Sequence, residues 1–403
     1  MIAIESHAAR AQPARIAAVD IVHDLDAAET IWRSLENSNH SITPFQRFDF
    51  LAPWQREVGE RAGLSPFIVV MLDGDGQPRG LLPLAQQTAL GVRRASFMGG
   101  EHATFNMGLW DREFAAGVTK ADLNAVIAML AKRDEADVLV LRQQPAQWRD
   151  VQNPLALLPH EPPVFNCPMR TIEPGATTAN LIGDPSRRMK LKQRKLLELT
   201  GYRYHVASAD ADIARLLDWF FRVKSERLAE RKLSNVFAER AVETFIRTAC
   251  MTKLPHGGRA IEIHALESDE EVIAIFAVVA DGHRFSTMFN TYTLSDNAKF
   301  SPGLLLMQEI IHHFAGRHYR AFDFGLGSHE YKRLFCKDDE PLFDSFIPLT
   351  RLGRQAAGVM SAVDRTKRLV EHHPKLRGVA QHLRKVLLDK AFCAIPLVSL
   401  LQM

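Results

Sequence analysis

The chain has 403 residues, of which 46% are hydrophobic and 24% charged, a composition of ordinary globular proteins that excludes a disordered or fibrous one. Its net charge of +3 is uneven: residues 351–403 carry ten Lys/Arg against three Asp/Glu, or +7, which leaves −4 on residues 1–350. Bulk charge therefore excludes DNA as a partner of the body. The four cysteines (Cys167, Cys250, Cys336, Cys393) lie far apart with no CxxC, which speaks against a disulfide framework or a structural zinc site. Met1–Arg15 lacks the apolar stretch of a signal peptide, and no apolar run approaches the ~18 residues that span a bilayer. The expectation is a cytoplasmic protein with more than one core.

In chain order, residues 1–18 read as a loose arm rich in Ala and Arg, followed by a helical pattern at 26–35. PFIVVMLD (66–73), the turn residues Gly74-Asp75-Gly76 and RGLLPLAQQT (79–88) predict a strand pair. A third strand (93–100), a helix near 120–133 and a buried strand DVLVLR (137–142) complete a first α/β unit, assigned to 19–152. Seven prolines within 153–185 read as a linker.

The same order returns in a second unit, assigned to 186–350. Helices are predicted near 213–228 and 241–249, then strands at 261–267, 272–280 and 283–290. A helix follows from Ser301 to Gly316, then a strand at 319–325, a short helix at 329–335 and a last strand at 341–349. Strand–strand–strand–helix–strand in each half suggests a diverged duplication. Residues 351–403 form a basic tail with helical patterning. The tail is either an amphipathic element for peripheral membrane contact or a helical extension packed on the body, with the second favoured.

Chemistry concentrates in 283–335. Ser301 is a residue type favoured at an N-cap, Pro302 suits the first helical position, and Gly303 allows close approach. The amides of Gly303, Leu304 and Leu305 at a helix N-terminus would suit a pyrophosphate. In AFDFG, Asp323 lies between Phe322 and Phe324 near a strand's C-terminal end, where sites of α/β sheets collect. Gly325 and Gly327 then lead into Ser328-His329-Glu330-Tyr331-Lys332, a dense set of proton carriers and anion binders. The structural alternative has Asp323 capping the next helix, Glu330 in its first turn and Lys332 solvated.

The string FSPGLLLMQEIIHHFAGRHYRAFDFGLGSHEYKRLF (300–335) resembles the CelD/BcsL-type acyltransferases of bacterial cellulose and exopolysaccharide clusters, which carry a BioF2-like domain of the GNAT superfamily. TPFQRFDFLAPWQ (43–55), RGLLPLA (79–85) and RRASFMGGEHATFNMGLW (93–110) resemble the family's first-domain pattern, so the similarity runs over about 40–350. The resemblance implies an α/β fold of tandem GNAT-like domains in the two-domain arrangement of Fem peptidyltransferases, plus the C-terminal helical extension. It places acyl-CoA as co-substrate, its pantetheine between strands 283–290 and 319–325 with Phe289 among the binding residues. The pyrophosphate falls at Ser301, Gly303, Leu304 and Leu305. SPGLLL stands where the superfamily has its Q/R-x-x-G-x-G/A loop.

Direct attack of an amine or hydroxyl on the thioester needs a base, a polarising amide and an acid. Asp323 or Glu330 is the expected base and Tyr331 the acid or positioning group. Lys332 would hold an anionic substrate group, and Tyr292 is a second acid. Cys336 reads as a packed apolar residue rather than a nucleophile. Glu101 and His102, after two glycines, would line an acceptor cleft with Tyr292. RRMKLKQRK (187–195) has six basic residues in nine and reads as a solvated face or an anion-binding one. His312-His313 and His372-His373 lack a third ligand, so no metal is expected. Envelope or exopolysaccharide synthesis is the implied setting. The rivals are an aminoacyl-tRNA-dependent Fem-type transferase, with tRNA the less favoured donor, and a non-catalytic scaffold.

Overall fold

The computed structural model describes residues 16–176, 181, 186–255, 257–327 and 330–372, with the side chains of Glu330 and His372 outside that set. The arm at 1–15, Ser328, His329 and the tail beyond 372, Cys393 included, also lie outside the described residues.

The first half holds β1 (Ala18–Val22), α1 (Leu25–Ser34), α2 (Phe48–Trp54), β2 (Ser65–Leu72), β3 (Pro78–Ala89), β4 (Val92–Phe97), α3 (Lys120–Arg133) and β5 (Val138–Pro145). Local chemistry sets their ends. Asp24 caps α1 by accepting from the Ala27 amide at 2.7 Å, and Thr119 with Asp122 forms a capping box on α3. Between β2 and β3, Asp73 accepts from the amides of Asp75 and Gln77, and Gly76 takes the positive φ of 74° that the turn requires. β1 was not expected: Ala18–Val22 pairs antiparallel with Ile68–Leu72 and takes the end of the supposed arm into the sheet.

The second half contains β6 (Pro168–Thr171), α4 (Arg187–Leu197), β7 (Arg203–Val206), α5 (Asp210–Glu230) and α6 (Arg240–Met251). It continues through β8 (Glu262–Glu267), β9 (Val272–Ala280), β10 (Arg284–Tyr292), α7 (Pro302–Ala315), β11 (Ala321–Asp323) and α8 (Glu330–Phe335). The chain then returns as β12 (Leu342–Pro348) and α9 (Arg351–His372). In both halves three antiparallel strands lead through a helix to a parallel fourth: β4 runs parallel to β5, and β10 to β11.

Each sheet is completed by a strand from the other side of the chain. β12, expected to close the second unit, instead pairs antiparallel with β5 and ends the first sheet, in the order β1-β2-β3-β4-β5-β12. β6, inside the supposed linker, pairs antiparallel with β11 in the second sheet, in the order β7-β8-β9-β10-β11-β6 with the short strand Asp338–Asp339 at its edge. The reason is backbone satisfaction. β5 and β11 would otherwise present unpaired N–H and C=O rows at buried edges, and a strand crossing back covers each.

α9 lies over this completed edge, with Ala357 in contact with Val138 and Val140, so the extension packs on the body through residue 372. Among the described residues no helix is long and apolar enough to cross a membrane. One apolar cluster runs through both halves, with Phe50 of α2 set edge-on against Phe245 of α6 at 5.4 Å.

Because the halves exchange strands and share this core, they unfold together. Urea unfolding followed by tryptophan fluorescence, with four of five tryptophans in the first half (Trp32, Trp54, Trp110, Trp148), is expected to coincide with far-UV dichroism of the whole chain. Two separated transitions would contradict the exchange.

Candidate active site

The parallel pair β10/β11 is paired only over Arg284–Ser286 and Ala321–Asp323. Beyond it the ladder between the two strands ends, and opposite Phe276–Val278 of β9 one extra residue is accommodated between Thr287 and Asn290 of β10. A bulge bends its strand locally and is a frequent feature beside functional sites. α7 begins ten residues after β10 ends, with Pro302 in its first turn.

Ser301 departs from expectation. It adopts the left-handed conformation (φ 57°) and makes no side-chain cap. Its hydroxyl instead accepts from Lys192 Nζ at 2.6 Å, which brings the basic helix α4 to the N-terminus of α7. Its carbonyl accepts from Leu304 and Leu305 at 3.0 and 3.3 Å, so two of the three expected amide donors are occupied and Gly303 N–H is the one left. Tyr292 lies close by: a Cβ on Gly303 would sit 3.7 Å from its ring, and the Arg227 guanidinium stacks 3.7 Å from the ring centre on the other element. Ser301, Gly303, Tyr292 and Lys192 are thus gathered at the start of α7.

Asp323 is fully buried and fully engaged. Oδ2 accepts from Arg284 Nε at 2.8 Å and from the Ser286 hydroxyl; Oδ1 accepts from the Gly325 amide at 3.0 Å. Arg284 also donates to Glu340, and its guanidinium lies 4.6 Å from the Phe105 ring centre and 5.1 Å from that of Trp148, both in the first half. Burial opposes the charge on Arg284, but Asp323 and Glu340 outweigh it and raise its pKa. A carboxylate with its oxygens so committed holds a structure together. The expectation of Asp323 as a base is corrected on that ground.

Lys332 is likewise turned inward. Its ammonium donates to the carbonyls of Gly325 (3.1 Å) and Leu326 (2.6 Å), and burial lowers its pKa, so it clamps the turn after β11 rather than reaching a substrate anion. Tyr331 is 40% exposed on α8, 6.5 Å from Phe324. Glu330 opens α8, and its side chain lies outside the described residues. Phe289 is buried against Phe220 (4.7 Å) and Phe237 (5.9 Å), a core position instead of a ligand contact. Cys336 is buried and its thiol pushed up by that burial, in keeping with a packed role.

Glu101 and His102 part company. Glu101 is exposed and lines a cavity of about 470 Å³ between β4, β5 and the turn Leu326–Gly327. His102 accepts from Trp54 Nε1 at 3.1 Å and stands edge-on to Phe245; burial lowers its pKa to about 4. It is an interface residue. A larger cleft of about 1000 Å³ opens at the opposite end of β10, beside the turn Asp281-Gly282.

Sequence reasoning missed Arg284, Ser286 and Glu340, and also Lys224, whose ammonium donates to the Asn290 carbonyl at the diverging end of β10. The one signal was an arginine at the head of a strand, just after the turn Asp281-Gly282. One trio of ligand type also went unnoticed among the described residues, His205, Asp212 and Glu267. Arg215 pairs with both of its carboxylates.

Comparison with known proteins bears on the fold. Residues 185–333 match the family model described as an acetyltransferase (GNAT) domain. No curated protein matches the chain. Among solved structures, FemX is similar at 11% identity over 84% of this chain and 100% of that one, with a TM-score of 0.52. A conserved protein of unknown function from Bacteroides thetaiotaomicron is similar at 10% identity, over 83% and 100%, with a TM-score of 0.49. L-PGS from Bacillus licheniformis is similar at 13% identity, over 87% and 98%, with a TM-score of 0.45. The chain has a tandem GNAT, Fem-like α/β fold with a helical C-terminal part, and its second half carries the GNAT acyltransferase domain.

Asp323→Asn should cost about 3 kcal/mol of stability, because it leaves the Arg284 charge buried with one partner removed. A urea midpoint unchanged from the parent would contradict the role given to the pair. His102 adds a pH dependence. Its folded-state pKa lies below the ordinary value of 6.5, so the unfolded chain takes up the proton first and stability is lost as pH falls from 6.5 to about 4. The loss is up to about 3 kcal/mol, and His102→Gln should remove that part of it when urea midpoints are compared at pH 7 and pH 4.5.

Proposed function

We propose that this protein moves an acyl group from acyl-CoA, bound in the splay of β10 and β11, to an amine or hydroxyl acceptor. The observation that carries this reading is the junction of the splay with the N-terminus of α7. There Gly303 offers an amide at the positive end of a helix dipole, and α4 brings Lys192 beside it. A pantetheine arm in the splay and a pyrophosphate at Gly303 would use a channel of backbone amides and a cationic end, which is what a long, multiply charged thioester donor needs.

The acceptor attacks the thioester carbon, the C–S bond breaks, and the thiolate takes a proton. Tyr292, next to Gly303, and Tyr331, half exposed on α8, are the acids of this reading, and Glu330 its base. The diverging amides of β10 beyond Ser286 polarise the carbonyl. Resemblance to the CelD/BcsL type supports an acceptor from envelope or exopolysaccharide synthesis. A second reading, an aminoacyl-tRNA donor, is favoured by the likeness of fold to FemX together with the basic face of α4, whose six cations would serve a nucleic acid as well as a diphosphate.

Calorimetry with acetyl-CoA and a longer acyl-CoA separates them. Micromolar binding is expected, weakened about tenfold or more in Gly303→Glu, which places a carboxylate beside the pyrophosphate where the backbone has room for a side chain. No binding of either thioester to folded protein would move the reading to tRNA.

A further inference from the structure

The cavity of about 470 Å³ in the first half occupies the place between β4 and β5 that corresponds to the donor splay of the second. Its apolar wall is formed by Phe97, Val140, Val164, Phe165 and Leu326. Its charged groups are Glu101, Asp344 and Asp364 against Arg142 and Lys367, three carboxylates to two cations. α9, which supplies Asp364 and Lys367, is pinned over it by Arg368, whose guanidinium donates to the Pro162 carbonyl and to Glu161 (2.6 and 2.7 Å).

Asp364 is the anomaly. It is 1% exposed, yet neither carboxylate oxygen accepts a hydrogen bond. Arg142 Nη2 lies 2.9 Å from Oδ2, a charge contact without hydrogen-bond geometry, and Arg142 Nε is itself unsatisfied. Asp344 beside it accepts from the Gln143 amide at 2.7 Å, and burial pushes its pKa up to about 6, which leaves it charged at neutral pH. A buried carboxylate with empty lone pairs costs free energy that a bound donor would recover. The surplus negative charge, the vacant acceptors and the apolar wall together define the complement of one ligand type.

We infer that this cavity binds a primary aliphatic ammonium group, with the ammonium on Asp364 and the hydrocarbon against Phe97, Val140 and Phe165. Part of its wall, Leu326 and Gly327, belongs to the turn that follows β11. The turn that supplies Leu326 also closes the donor splay, since a Cβ on Gly325 would lie 3.5 Å from the Thr287 carbonyl. In the acyl-transfer reading, on which this last step rests, the cavity anchors an acceptor that carries an ammonium group. A carboxylate neighbour keeps that nitrogen protonated, so it serves as a handle and another group of the acceptor is the nucleophile.

The test uses hexylamine and its neutral counterpart 1-hexanol, titrated into the full chain without acyl-CoA and followed by ligand-observed NMR. Hexylamine should bind about tenfold or more tightly than hexanol, the discrimination expected of a charge-assisted hydrogen bond, and Asp364→Asn should abolish the difference. Lys367→Gln, which removes a competing cation from a partly exposed position, should tighten hexylamine severalfold and serves if the Asp364 variant does not fold. Equal binding of the two probes, a folded Asp364→Asn that still discriminates, or Lys367→Gln without gain would each overturn the inference. Acyl-CoA titration of the same samples reports on the donor separately, so amine binding without acyl-CoA binding would keep the cavity and remove only its assignment to the acceptor.

Discussion

The second sheet, the first domain and the proposed channel all depend on a single buried guanidinium. Arg284 stands at the head of β10, pairs with Asp323 on β11 and Glu340 beyond α8, and is roofed by Phe105 and Trp148 of the first half. Taking such a charge out of water is expensive, and its partners must be close to fixed for the pair to be tolerable. That requirement holds β10 and β11 in register over three residues, and the remainder of β10 has no ladder to β11. The same side chain carries the first half as its lid, since the two rings supply the apolar, electron-rich surface that a desolvated guanidinium accepts. Position of the splay and position of the two halves are thus one constraint.

The strand exchange has the same logic at the level of backbone. A parallel strand that ends a sheet leaves a row of unpaired groups, and in each half that row faces the other half. Sending β6 into the second sheet and β12 into the first satisfies both rows and makes the halves inseparable. The cavity beside β5 and the turn after β11 then share a wall at Leu326 and Gly327. In the acyl-transfer reading a shared wall suits a donor and an acceptor that must meet in one geometry.

Local periodicity made most of the elements readable. Alternation and turn residues marked β2, β3, β9 and β10, and Pro302 marked the start of α7. β6 was hidden because four residues between prolines show no period, and its partner lies some 150 residues away in β11. The ending of β12 in the first sheet was hidden for a related reason: its alternation says that it is a strand, and nothing local says whose. Side-chain roles were less legible than elements. Asp323 and Lys332 carry the residue types of catalysis, yet one neutralises Arg284 and the other holds two carbonyls; both roles arise from partners that sequence spacing does not reveal.

Those corrections bear on how such a site can work. With Asp323 and Lys332 engaged in structure, the acyl-transfer reading leaves Glu330, the two tyrosines, the Gly303 amide and the backbone amides of β10 to act on a thioester. A channel built from amides stabilises a developing oxyanion without reorganisation and with little dependence on pH. In the same reading an acceptor held by a charged handle would gain orientation, and orientation can supply a large share of the lowering of the barrier between bound partners. The design asks little of any one titratable side chain. It therefore places the demands on the fixed geometry around Arg284, where a structural substitution would reach the chemistry without touching either substrate.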